Sequence, residues 1–216
     1  MQLGRNRVEA LTDGIFAVAM TLLVLDIKVP EVQQATGTAN LPLKLLALVP
    51  KMLSYIISFI ILGVYWVGHH AQLVFIHRAD RPLLWINIFF LLWVALVPFS
   101  TALLSEYSNT RLAIGIYGGN LIAIGLTLAL HWWYATGKSR HVDPGIDGAL
   151  VRGAMYRTLM GPFVYLLAIA LSFIKVELSL ILFALVPILY ILPGRIDVHW
   201  VERHQGKSKT DQASIK

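Results

Sequence analysis

The sequence predicts an all-α integral membrane protein with six transmembrane helices and both termini in the cytoplasm. Three observations predict it. Of 216 residues, 57% are hydrophobic and 14% charged, where a soluble domain carries about 25% charged residues. Six apolar stretches approach the ~20 residues that a helix needs to cross the hydrocarbon core. The basic residues fall mostly on one side of those six stretches, as the positive-inside rule requires of cytoplasmic loops.

The spans read in order as 8–27, a second within 43–75 with its core at 52–67, then 83–104, 112–134, 156–174 and 178–192. The first is uncharged from Gly14 to Leu25, yet it opens with Arg7, Glu9 and Asp13 and closes with Asp26 and Lys28. It reads as a span rather than a cleaved signal, because the apolar run is long and no cleavage-like stretch follows it. Residues 30–40 (PEVQQATGTAN) form a polar loop, and 138–148 (KSRHVDPGIDG) a second loop with D-P-G as its turn signal. Lys175, Val176 and Glu177 join the last two spans into a tight hairpin. The expected organisation is a six-helix membrane unit over 1–200 and a basic, disordered tail over 201–216.

Charge sets the orientation. With six spans, 13 of the 18 Lys and Arg residues share a side with the termini, leaving Lys28, Lys44, Lys51, Arg111 and Lys175 on the other. The net charge of +6 then reflects cytoplasmic loops facing anionic lipid in the cell membrane, not nucleic-acid binding. Cysteine is absent, which excludes disulfides and thiol chemistry. The sequence has no nucleophile elbow, phosphate loop or H-E-x-x-H pair, so enzyme chemistry, a cofactor, a bound metal and a small-molecule substrate are not expected.

Polar residues inside the spans carry the functional reading. A carboxylate deep in a bilayer costs roughly 2.5–3.5 kcal/mol on insertion scales and is normally paired or wet, so Asp13 needs a partner or lies near the headgroups. At about 100° per residue, Val18, Leu22 and Leu25 share one narrow face of the first helix, with Thr21 at its edge. Thr12 and Asp13 point away from that face. The second span ends in Tyr65-Trp66-Val67-Gly68-His69-His70. Its adjacent histidines face different ways; either one of them reaches Asp13, or both sit in the headgroup region with Trp66. Pro98 should kink the third span, with Ser100 or Thr101 satisfying the freed carbonyl. Gly115, Gly118, Gly119 and Gly125 permit close helix approach, Asn120 and Thr127 are interhelical hydrogen-bond candidates, and Trp132 and Trp133 read as an interfacial belt. The last two spans look lipid-facing.

A single chain of this size has no obvious room for a polar channel. Symmetric assembly can set first helices around one axis, each giving the face Val18, Leu22, Leu25 to an apolar lumen that gates by dewetting. The T-V-G-Y-G filter of carbonyls is absent from the sequence. Two other classes are a proton- or cation-coupled secondary transporter using Asp13 and His70, and a membrane scaffold without permeation.

The string R-x-x-x-L-T-D-G-I-F-A-V-A-M-T-L-L-V-L-D-I, from Arg7 to Ile27, resembles the first helix of the transmembrane protein 175 potassium channels. That family's motif is R-x-x-x-F-S-D followed by an apolar run and a Thr. Arg7 and Asp13 match it, Leu11 replaces its Phe, and Thr12 replaces its Ser. The P-F-x-T-A-L-L-x-E-Y string of the third span is similar as well. The resemblance implies a homotetrameric, potassium-selective channel without a filter loop, its pore lined by the first helix and closed by stacked hydrophobic rings. Carried over by distance from Asp13, the narrow ring is Val18, with Leu22 and Leu25 beyond it and Thr21 as the matching Thr. Potassium would be transient in that pore rather than a bound metal. The resemblance also implies a polar network from the first-helix motif to helices two and three, for which His70 and Asn87 are the candidates beside Arg7, Thr12 and Asp13. Arg7 and Asp13 are expected to hold the first helix to its own subunit. The chain departs from the family in having Val where the ring is usually Ile or Leu, and a smaller ring should leak more or discriminate less.

Overall fold

The structure, a computed structural model, describes residues 5–30, 40–137, 141–142 and 145–191. Most of the loop expected over 30–40, part of that over 138–148, and the tail over 201–216 lie outside the described residues.

The described chain is helical throughout: α1 (Arg5–Leu22) with a 3-10 extension (Leu23–Asp26), α2 (Leu41–Ala47), α3 (Val49–Phe75), α4 (Arg81–Ala95), α5 (Val97–Glu106), α6 (Arg111–Thr136), α7 (Gly148–Leu171) and α8 (Val176–Ile191). Five segments among the described residues are long and apolar enough to cross a membrane, counting α4 and α5 as one. The sixth expected span is present as α8, whose 16 described residues form a shorter apolar helix. The hairpin between α7 and α8 forms as the short connection predicts.

The string Leu-Val-Pro occurs three times, at 48–50, 96–98 and 185–187. At the first two the helix stops at the leucine and restarts, with proline in its first turn. Proline fits there because its missing N–H is one the first turn leaves unbonded anyway. This explains why α2 is separate from α3, which the apolar run alone does not suggest, and why the third span divides into α4 and α5. Ser100 and Thr101 do not serve the break as expected. Ser100 Oγ donates to the Val97 carbonyl at 3.1 Å, and Thr101 Oγ1 to Ser58 Oγ at 2.9 Å. Pro187 instead lies within α8.

α6 is the central post. It packs on α4, α5 and α7, while α1 stands at the edge against α3, α4 and α5. Phe16, Ile61, Leu62, Phe90, Tyr117 and Leu121 fill the main core between them. The last two helices are not merely lipid-facing. Tyr165, Ala168, Phe183 and Val186 belong to that core, and the Tyr190 hydroxyl enters the α7 ladder beside Pro162. There it accepts from the Gly161 amide at 2.8 Å and donates to the Arg157 carbonyl at 2.6 Å, taking up two groups that would otherwise pair with each other. Trp132 is fully buried and donates to the Val151 carbonyl. Trp133 is the exposed one of the expected pair.

Two of the four α6 glycines are needed for close approach. A Cβ on Gly125 would lie 2.4 Å from Pro162 Cγ, and one on Gly118 would lie 2.8 Å from Ile169 Cγ1, whereas Gly115 and Gly119 face nothing within 4 Å. A rigid proline ring cannot yield as a flexible tip would. Gly125→Val should therefore cost about 2–3 kcal/mol of stability by overpacking, and Gly119→Val little. Thermal unfolding of the detergent-solubilised protein checks this: equal midpoints for the two variants would refute the packing argument.

Candidate functional site

α1 divides into two faces. Val8, Thr12, Phe16, Ala19 and Leu23 are buried against the rest of the chain, and their spacing of three and four residues marks one helical stripe. On a separate stripe, roughly a third of a turn round the helix, Val18, Leu22 and Leu25 are 55%, 44% and 69% exposed. Thr21 is also exposed, and its hydroxyl donates to its own helix, 2.9 Å from both the Ala17 and Val18 carbonyls. That donation leaves the hydroxyl oxygen's lone pairs as its remaining capacity. The predicted face is thus one that the described residues leave exposed.

The end of α1 near Asp26 is pinned by polar contacts. Ser105 Oγ donates to Asp26 Oδ2 at 2.8 Å, tying the 3-10 extension to α5. Next to it Lys51 Nζ meets Glu106 Oε2 at 2.6 Å, between α3 and α5.

At the Arg7 end a buried polar chain crosses the bundle. Asn87 on α4 donates through Nδ2 to Thr12 Oγ1 at 3.5 Å and accepts through Oδ1 from His69 Nε2 at 2.8 Å. The His69 ring stacks on Phe90, with centroids 4.9 Å apart, and its other neighbour is His131 at 5.2 Å. His131 Nδ1 donates to Gln72 Oε1 at 3.0 Å, and Gln72 Nε2 to the Leu128 carbonyl at 3.3 Å. All five side chains are at least nine-tenths buried. Because amide oxygens only accept, the two hydrogen bonds fix which nitrogen of each histidine carries its proton.

The structure brings some expected site residues together and separates others. Thr12 and Asn87 meet, and the histidine that joins them is His69. His70 is not in that chain: its Nδ1 lies 3.4 Å from Glu9 Oε1, and its ring stacks on Trp66. Asp13 accepts from Trp66 Nε1 at 2.8 Å, not from either histidine. Arg7 is exposed and has no hydrogen bond or ion pair to a described residue. It lines a groove with Arg81, Leu84 and Trp85. Sequence reasoning missed the Trp66 contact and the extension through His131 and Gln72. The polar side chains of an apolar span were the available signal.

A second clamp closes this end. Asp80 caps α4 by accepting from the Leu83 amide at 3.0 Å, accepts from the Tyr134 hydroxyl at 2.7 Å, and lies 3.2 Å from His141 Nε2. Partial burial pushes its carboxyl up, but the Leu83 amide, Tyr134 and His141 outweigh that and hold it below the usual carboxylate range.

Helical spans, a pinned first helix and an uncovered apolar face define a multi-pass membrane protein. Among the described residues no cluster of three or more His, Asp or Glu is placed to hold a metal ion. The family model described as "Endosomal/lysosomal potassium channel TMEM175" matches residues 7–98. A potassium channel of Streptomyces collinus is 36% identical over 189 residues, covering 86% of this chain and 90% of that protein. A potassium channel of Chamaesiphon minutus is 39% identical over 177 residues, covering 81% and 87%. The crystal structure of a lysosomal potassium-selective channel TMEM175 homolog from Chamaesiphon minutus superposes with a TM-score of 0.76 at 37% identity, covering 87% of this chain and 96% of that one. The chain belongs to the TMEM175 potassium channel family, a family of ion channels and not of enzymes.

Proposed function

We propose that the chain is one subunit of a homotetrameric potassium channel of the cell membrane, with both termini in the cytoplasm. Its pore is lined by α1 and closed by rings of Val18, Leu22 and Leu25, with Thr21 on the same wall. The observation that carries this reading is the exposed apolar face of α1, set apart from a stripe buried in the subunit. A lone subunit would leave that face to lipid. Four copies around an axis enclose it, and a narrow apolar lumen gates by dewetting without a carbonyl filter. The relatives named as potassium channels support potassium as the ion, and the excess of Lys and Arg near the termini supports the orientation. Thr12, Asp13 and Asn87 then set the position of the pore helix, with His69 rather than His70 as the α3 member and Trp66 as the partner of Asp13.

The transporter reading loses its pair, because Asp13 and His70 have different partners. The test is ion flux from liposomes holding the purified protein, with sodium and empty vesicles alongside. Fast potassium flux well above sodium, without proton exchange, is expected. Flux that requires a pH gradient would overturn the channel in favour of coupled transport.

A further inference from the structure

α3 and α7 both lean on α6 but hardly touch each other. Between them runs a crevice of about 510 Å³, with Met20 of α1 on its wall. On α3 its lining reaches from Phe59 to Phe75, about 24 Å of helix and more than half of the ~30 Å hydrocarbon core. Polarity is unequal along it. Phe59, Ile60, Gly63, Val64 and Met20 line the half toward the Asp26 end of α1. Toward the Arg7 end stands Arg157, the one charged residue among the described residues that line the crevice. Trp132 donates to the Val151 carbonyl and Gly125 abuts Pro162, which puts Arg157 level with Leu128, the residue whose carbonyl holds Gln72. Arg157 Nη2 donates to the Tyr190 carbonyl at 2.9 Å, and its guanidinium lies 5.9 Å from the Tyr190 ring centroid. The hydroxyls of Tyr65 and Thr158 are turned onto the Leu121 and Ala154 carbonyls, so most of the remaining wall is apolar.

We infer that this crevice binds an anionic phospholipid of the leaflet at the Arg7 end: one acyl chain fills the apolar half, and Arg157 takes the phosphate. An arginine inside a span is rare and marks a functional site by default. Guanidinium is the side-chain group of choice for phosphate, and its long stem snorkels toward the headgroups. The proposed orientation puts this end in the cytoplasmic leaflet, which is the anionic one. The size fits as well. At ~30 Å³ for a water-sized group, 510 Å³ takes about 17 methylenes, one acyl chain and not two. The occupant would touch the supports of α1. Trp66, whose indole N–H holds Asp13, and Met20 of α1 itself both lie on the wall. Met20 faces away from Val18, Leu22 and Leu25 on the helix, so a chain in the crevice braces α1 from the side opposite its exposed face. That effect on conduction rests on the reading of α1 as the pore helix; the binding itself does not.

Gly63→Leu is the plugging variant, because a Cβ at Gly63 meets nothing within 4 Å and the added side chain fills the crevice without a clash. The purified chain, stripped of lipid and titrated with phosphatidylglycerol, should hold one lipid per subunit in native mass spectrometry, about tenfold tighter than phosphatidylcholine. Gly63→Leu should lose that lipid, and Arg157→Gln should lose the preference for phosphatidylglycerol. Gly119→Leu is the control: its Cβ also meets nothing within 4 Å, it lies outside the crevice, and it should bind as wild-type does. A phosphatidylglycerol with a photoactivatable group at its chain end should label α3 around Gly63. In phosphatidylcholine vesicles, added phosphatidylglycerol should raise wild-type potassium flux several-fold and leave Gly63→Leu unchanged. Equal binding by wild-type and Gly63→Leu would overturn the site, and so would equal affinity for the two phospholipids. Tighter retention of a free fatty acid than of phosphatidylglycerol would overturn the phosphate as the bound group. An unlabelled α3 in the assembled protein would give the crevice to a second copy and overturn the lipid. Bound lipid to which wild-type flux is indifferent would overturn the brace on α1. Absence of flux in every lipid, with binding intact, would overturn the channel and leave the lipid site standing.

Discussion

Val18→Ala is expected to raise potassium flux by about tenfold and to narrow the difference between potassium and sodium. Val18 is 55% exposed on the uncovered face of α1, at the position where the proposed pore is narrowest. Alanine removes two carbons from each subunit, and so eight from a ring of four. Each buried CH2 is worth about 0.8 kcal/mol of apolar character. A fraction of the ring's total is enough to lower the dewetting barrier by the ~1.4 kcal/mol that corresponds to tenfold in rate. Val18→Ile should act in the opposite direction and reduce flux. Val8→Ala is the control, because Val8 lies on the buried stripe: it should lower stability and leave the ion preference alone. Liposome flux for both ions reads all three. A Val18→Ala protein with unchanged flux and preference would remove Val18 from the constriction.

That prediction draws on the part of the chain most legible in its sequence. The face of α1 was readable because a helix has a fixed angular period, and the buried stripe and the uncovered stripe each obey it. The spans were readable because backbone in lipid must be satisfied internally, so long apolar runs become helices. The breaks were harder. Pro98 announces one and Pro50 the other, but proline inside an apolar run can kink, restart or simply be tolerated, and Pro187 shows the third outcome within the same Leu-Val-Pro string. What separates them is tertiary packing, which a local string does not contain. α7 was misjudged for the same reason. It has few polar residues, yet it sits on α6 because Gly118 and Gly125 admit Ile169 and Pro162.

The polar partners were legible by type but not by pairing. Asp13 had to find a donor, and the second helix had to supply it from its last turns. Two histidines were the obvious choices. The donor is an indole nitrogen instead, on Trp66, one turn before His70 on the same face. An indole N–H near a membrane interface usually seeks an acceptor, so this contact follows from chemistry that the string already contained. The choice between the histidines was also open to a stricter reading. Ser58, Leu62, Tyr65, His69 and Leu73 repeat at three and four residues and are all buried, whereas His70 falls off that stripe.

His69→Leu should therefore be far more damaging than His70→Leu. Leucine at 69 leaves the Asn87 amide oxygen unpaired in the core, and an orphaned buried acceptor costs about 1–3 kcal/mol. The lost stack on Phe90 adds roughly 0.5–1.5 kcal/mol. Asn87 also donates to Thr12, so the loss is felt at α1 itself: the pore helix keeps its apolar stripe but loses its polar register. His70→Leu removes only a half-exposed contact to Glu9 and a stack on Trp66, and exposed pairs of that kind are worth at most about 1 kcal/mol. The two variants are best compared by unfolding midpoint and by liposome flux together. His69→Leu should lower the midpoint and alter the flux, while His70→Leu should do little to either. His69→Gln, which can still donate to Asn87 Oδ1, should recover part of the loss. If His69→Leu matched wild-type in both measurements, the buried chain would be packing alone, and the position of α1 would have to be set by Trp66 and Asp13.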